Sequence, residues 1–118
     1  MRYIPELMDK IEPYLLEIPG VQKGQMMGHP AFYINRKMFC IFLEQGIAVK
    51  LPQDKYDELL ERENYTSPFA PGGTKMGTWL QFNLTKYEDY EDKLNYFDLA
   101  VQFTANQPET KKSRKYRK

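Results

Sequence analysis

A chain of 118 residues, 42% hydrophobic and 28% charged, has the length of one domain that can bury its own core. It has no apolar run of about 18 residues to cross a membrane, and no secretory leader is expected ahead of the first helix, so a cytoplasmic protein is the expectation. The formal net charge of +1 hides an asymmetry: residues 1–106 hold 11 Lys and Arg against 15 Asp and Glu, a net of −4, whereas residues 107–118 hold six against one.

The first element is a helix over residues 4–18. Ile4, Leu7, Met8, Ile11, Leu15 and Ile18 form one apolar stripe at helical spacing. Pro5 suits the first turn, and Pro13 is expected to kink or split the helix. Residues 21–29 read as a connection with at most a short strand. They carry His29, the only histidine, which reads as a turn residue because no second ligand lies nearby for zinc and no partner is identifiable for general-base work.

Residues 30–52 read as three strands joined by turns at Asn35-Arg36 and Gln45-Gly46. Those turns pair Tyr33 with Met38, Ala31 with Cys40, Phe42 with Val49 and Cys40 with Leu51. Alternation then sets Cys40, Phe42, Val49 and Leu51 on one face. Phe32, Ile34, Phe39, Ile41 and Leu43 fall on the other, so both faces of the middle strand are apolar. The second face needs a cover: a helix, a second subunit or a partner. Cys40, the only cysteine, reads as a small buried hydrophobe.

A second helix is expected over 52–63, with Tyr56, Leu59 and Leu60 inward. In the turn-rich stretch 67–77, Pro71-Gly72 matches the centre of a type II turn. Gly72-Gly73-Thr74-Lys75 lacks the spacing of a phosphate loop, and only a weak anion site at Thr74 and Lys75 is left as an alternative. Residues 78–84 alternate as a strand with Leu80, Phe82 and Leu84 inward. Thr85 to Glu88 has the capping-box pattern, opening a third helix to residue 106 with Tyr90, Leu94, Phe97 and Val101 inward. The tail has no apolar period and is expected to be disordered in isolation.

These elements define an α+β class with one domain over 1–106, in the order α-β(3)-α-β(2)-α, an antiparallel sheet with helices packed on it, followed by a basic tail over 107–118. Two surfaces stand out. Phe32, Phe39, Ile41 and Trp79 are the expected interaction surface for a protein partner or a homodimer, because large exposed apolar patches mark such contacts. Lys111, Lys112, Arg114, Lys115, Arg117 and Lys118 read first as a solvated tail that aids solubility, with weak contacts to nucleic acid as the alternative, helped by Arg36, Lys37, Lys50 and Lys75 and opposed by the acidic body. No nucleophile–base pair, metal-ligand cluster or nucleotide loop stands out, so the expectation is a non-enzyme without metal or cofactor.

The order of elements, together with Pro19-Gly20-Val21, Met27-Gly28 with Ala31-Phe32, Lys37-Met38-Phe39, Gly46-Ile47-Ala48-Val49-Lys50, Tyr56, Pro68-Phe69 and Met76-Gly77-Thr78-Trp79, resembles the TfoX/Sxy N-terminal-domain family and the related MmcQ/YjbR-like proteins. The resemblance covers about residues 4–105. It implies a fold similar to secretion-chaperone-like domains and a link to competence regulation or DNA binding, and it brings no catalytic residues. The resemblance is to the N-terminal domain of the competence regulators, and the second, C-terminal domain of their full-length forms is not expected in residues 1–118.

Overall fold

A computed structural model describes residues 2–108. Six antiparallel strands form one sheet in the order β1-β2-β3-β4-β6-β5, with three helices. The strands are β1 (Val21–Met26), β2 (His29–Ile34), β3 (Lys37–Phe42), β4 (Ile47–Lys50), β5 (Thr66–Pro68) and β6 (Trp79–Phe82). The helices are α1 (Pro5–Glu17), α2 (Gln53–Arg62) and α3 (Asn95–Ala105). The α+β class therefore stands. Four strands precede α2 rather than three, because Val21–Met26 pairs along its whole length with His29–Ile34.

Each helix lays its apolar stripe on one face of the sheet. α1 packs on β1, α3 on β2 to β4, and α2 on β5 and β6. Leu7, Met8, Ile11 and Leu15 from α1, Tyr56 and Leu59 from α2, and Phe97, Ala100 and Val101 from α3 join the strands in one core. Fully burying a Leu or Phe side chain contributes about 1.5–3 kcal/mol, so this layer holds most of the favourable burial. α1 runs through Pro13 as one element, so of the kink or split expected there the helix shows no split.

Two local devices set the register. Asn35 and Arg36 make a tight turn with both φ angles positive, 53° and 66°, and Tyr33 pairs with Met38 as expected. Between Phe32 and Tyr33 the register then shifts: Phe32 faces Cys40, leaving Phe39 as the extra residue of a β-bulge. At the next hairpin, a hydrogen bond from Leu43 N to Gly46 O (2.8 Å) places the turn at Glu44-Gln45, one residue earlier than expected. Cross-strand pairs slide by two, Phe42 facing Ile47 and Cys40 facing Val49, which preserves which face each residue occupies. Gly46 is required there: a Cβ on it would lie 1.9 Å from the Phe82 carbonyl oxygen.

The last helix is shorter than its sequence pattern suggested. Tyr87–Tyr90 forms a 3₁₀ turn and α3 begins only at Asn95, with no side-chain cap from Thr85. Tyr90 is 2% exposed, and its hydroxyl donates to the carbonyls of Phe82 (3.2 Å) and Leu84 (2.8 Å). This anchor ties the segment to the end of β6 and replaces the capping box. Pro71–Gly73 turns with Gly72 at φ 68° and a bond from Gly73 N to Ala70 O, the positive φ that the third position of a type II turn needs.

Candidate functional site

The face of the sheet away from the helices is the candidate site. Its middle row runs Gly24, Ala31, Ile41, Ala48, Gln81 and Ser67 across successive strands. Most of these side chains are small, so neighbours lean over them. Ala31 and Ala48 are fully buried, Ile41 is 1% exposed, and Leu43, Phe69 and Trp79 complete a second, smaller cluster. Met26, Tyr33, Met38 and Met76 are its half-buried rim. Part of the cover is the loop after β5, closed by bonds from Phe69 N to Trp79 O and Met76 N to Phe69 O (both 3.0 Å), with the Phe69 and Trp79 rings 5.9 Å apart.

The four residues expected to form one interaction surface are divided between the two faces. Phe32 and Phe39 are fully buried in the helix-side core, and only Ile41 and Trp79 belong to the second face. The bulge is the physical cause. One extra residue in β3 turns Phe39 to the same side as Cys40. Phe32 follows because it pairs with Cys40 rather than alternating with it. Ile41 and Trp79 are themselves nearly covered, so the accessible apolar groups of this face are Tyr33, Met38, Met26 and Met76. Methionine adapts its shape to what it touches, which suits a contact surface.

Charge divides the same way. Of the 15 acidic residues of positions 1–106, ten lie in or directly beside α1, α2 and α3, four (Glu88, Asp89, Glu91 and Asp92) in or just after the 3₁₀ turn, and Glu44 in the β3–β4 turn. Arg2, Arg36 and Lys50 belong to the chain start, the β2–β3 turn and β4. Lys50 shares the helix-free face with its partner Trp79, and burial, with Lys37 nearby, holds its ammonium below the ordinary lysine range. Lys37 instead donates to the Gln107 carbonyl oxygen. Lys75 is engaged locally, bonding the Gly77 carbonyl (2.8 Å) with its ammonium 5.0 Å from the Tyr56 ring centroid.

At one end of this face lies an open cleft of about 350 Å³. Its floor is Ile41, Leu43 and Phe69, and its rim includes Arg2, Met27, His29, Glu44, Gln45 and Gln81. Two contacts hold Arg2 there. His29 Nδ1 lies 2.8 Å from the Arg2 carbonyl oxygen; a carbonyl only accepts, so Nδ1 carries the proton. The Arg2 side chain also lies against Gly28, where a Cβ would stand 3.0 Å from its Cδ. Sequence reading passed over this cleft, because its walls come from the chain start, two hairpin tips and a loop. The one available signal was Met27-Gly28, whose positive φ angles of 52° and 82° make the β1–β2 turn.

The remaining candidates resolve simply. Cys40 is fully buried, and burial pushes its thiol well above the usual range. Among the described residues no group of three or more His, Cys, Asp or Glu side chains converges to hold a metal, and no helix is long and apolar enough to cross a membrane. The tail cations Lys111, Lys112, Arg114, Lys115, Arg117 and Lys118 lie outside the described residues. No protein-family model matches the chain, and neither the curated proteins nor the solved structures contain a match to it.

Proposed function

We propose that this chain is a non-catalytic interaction module that takes an acidic, apolar segment of a partner protein on the helix-free face of its sheet. The reading rests on one observation: accessible methionine and tyrosine side chains share that face with Lys50, while 14 of the 15 carboxylates of positions 1–106 lie in or beside the helices and the 3₁₀ turn. An acidic segment is drawn to the sheet side and repelled from the helices, so charge sets orientation while the apolar rim supplies contact area. A regulatory role of the TfoX- or YjbR-like kind is consistent with such a module.

Selection from a displayed peptide library tests this, with a Met38→Glu, Lys50→Glu double variant as counter-target. The expected peptides combine apolar residues with Asp or Glu, and the variant binds them at least about tenfold more weakly, the loss of one part-buried charge contact and its packing. Peptides that bind both proteins equally, or no enrichment, would sink the reading. A dimer in light scattering that the same variant dissociates would make the partner a second copy.

The same charge division favours a second reading, binding of nucleic acid by the sheet-side cations together with the basic tail. Binding of single-stranded oligothymidylate at low salt that falls steeply with added salt and disappears on deleting residues 109–118 is its expected signature.

A further inference from the structure

We infer that the cleft at the hairpin end of the sheet binds a monocarboxylate with an apolar body, its carboxylate on Arg2 and its body on Ile41, Leu43 and Phe69. The cleft volume of about 350 Å³ falls in the range of about 300–1,000 Å³ typical of small-ligand sites. Ile41, Leu43 and Phe69 are 1%, 6% and 6% exposed, so the floor is apolar and already packed. Arg2 has no carboxylate partner among the described residues, where every ion pair involves other cations.

The cation is also pre-positioned. Its backbone carbonyl accepts from the His29 ring, and its side chain packs against Gly28, where a Cβ would stand 3.0 Å from its Cδ. Arg2 and the apolar floor line the same cleft, which matches a carboxylate that ends a hydrocarbon body. Glu44 sets the limit on charge. It stands exposed on the rim, where solvent screens it from a single carboxylate, but a ligand with a second carboxylate meets it directly. Free organic acids and peptide C-termini share this chemistry. The inference does not depend on the peptide face proposed above, because it uses neither Met38 nor Lys50.

Titration of the full chain with hexanoate, followed by amide proton–nitrogen correlation spectra, tests it. Saturable shifts are expected at Ile41, Leu43, Phe69 and Gln81. Hexan-1-ol and hexylamine bind more weakly. Arg2→Gln weakens hexanoate by roughly fivefold, the strength of a part-exposed charge pair. Glu44→Gln leaves hexanoate binding unchanged and strengthens that of adipate, its dicarboxylate counterpart. A short peptide ending in Leu, with a free or an amidated C-terminus, separates the sources: tighter binding of its acid form than of hexanoate identifies a chain terminus, and the reverse a free acid. Equal binding of hexanoate and hexanol, unchanged affinity in Arg2→Gln, or no saturable shift overturns the inference. Spectra of both variants without ligand verify that the fold is retained.

Discussion

On the helix-covered face, Phe32, Phe39, Cys40 and Phe42 are completely buried, whereas on the opposite face Tyr33 and Met38, each one residue away in the chain, stay half-buried. The same two strands therefore supply a dense core and a contact surface. The difference shows how much one inserted residue decides. Without the bulge at Phe39, the strand would present Phe39 beside Ile41, and the helices would lose a large aromatic anchor. With it, the greasiest side chains go under the helices, and the other face keeps small residues roofed by flexible ones.

The largest test of this division is a charge on either side of the bulge. Phe39→Asp strands a carboxylate in the helix-side core, which costs several kcal/mol, and should abolish cooperative unfolding in urea. Met38→Asp, its neighbour, should cost about 1 kcal/mol or less and leave the transition in place. Equal damage from both would erase the distinction between the two faces.

Next in size is Gly46→Ala. The new Cβ would collide with the Phe82 carbonyl, so β4 and β6 must separate, which costs at least about 3 kcal/mol in thermal or urea denaturation. A near-neutral result would mean that the β4–β6 seam, which both faces share, is looser than its contacts indicate.

Tyr90 sharpens the comparison through pH. Burial raises its hydroxyl above the ordinary tyrosine range. The folded chain therefore holds this proton more tightly than the unfolded chain. The stability it contributes is complete below about pH 10, the unfolded value, and is lost as pH rises towards the folded value. Tyr90→Phe should cost about 1–3 kcal/mol at neutral pH and flatten the alkaline limb of stability. Tyr14, pushed up to about 12 by burial and then by its 2.7 Å bond to Asp98, contributes to that limb with the same sign. A Tyr90→Phe profile parallel to the parent would assign the limb to other groups.

The smallest effect is at the hairpin that feeds both faces. Arg36 holds φ at 66°, where a side chain is strained and glycine is not. Arg36→Gly should raise stability by about 0.5 kcal/mol, measured as a shift in the urea midpoint, because relief of strain exceeds the added freedom of the unfolded chain. A loss would show that the Arg36 side chain stabilises the fold by more than its turn position costs.

Much of this architecture was legible in the residues. The stripe Leu7, Met8, Ile11 and Leu15, the tight turn at Asn35-Arg36, the inward Leu80 and Phe82, and the turn at Pro71-Gly72 all follow from periodicity and turn chemistry, and all are present. The edge strand β1 was harder to see, because Gln22, Lys23, Gly24 and Gln25 carry little strand signature and pair only because β2 offers them an edge. The capping box at Thr85 misled for a related reason: its local pattern was outweighed by the buried Tyr90 hydroxyl, whose acceptors are carbonyls at and just beyond the end of a different element.

By itself the sequence determined that helices and antiparallel strands share one domain, that the middle strand is apolar on both sides, and that acidic residues follow the helical stripes. These are properties of spacing, and spacing is local. Only the tertiary structure decided which aromatic residues lie under the helices, that Gly46 must admit a neighbouring carbonyl, and that Arg2 meets His29 and Gly28 beside an apolar floor. A bulge, a close backbone approach and a cleft each depend on segments far apart in the chain, and their energies exist only once those segments have been brought into contact.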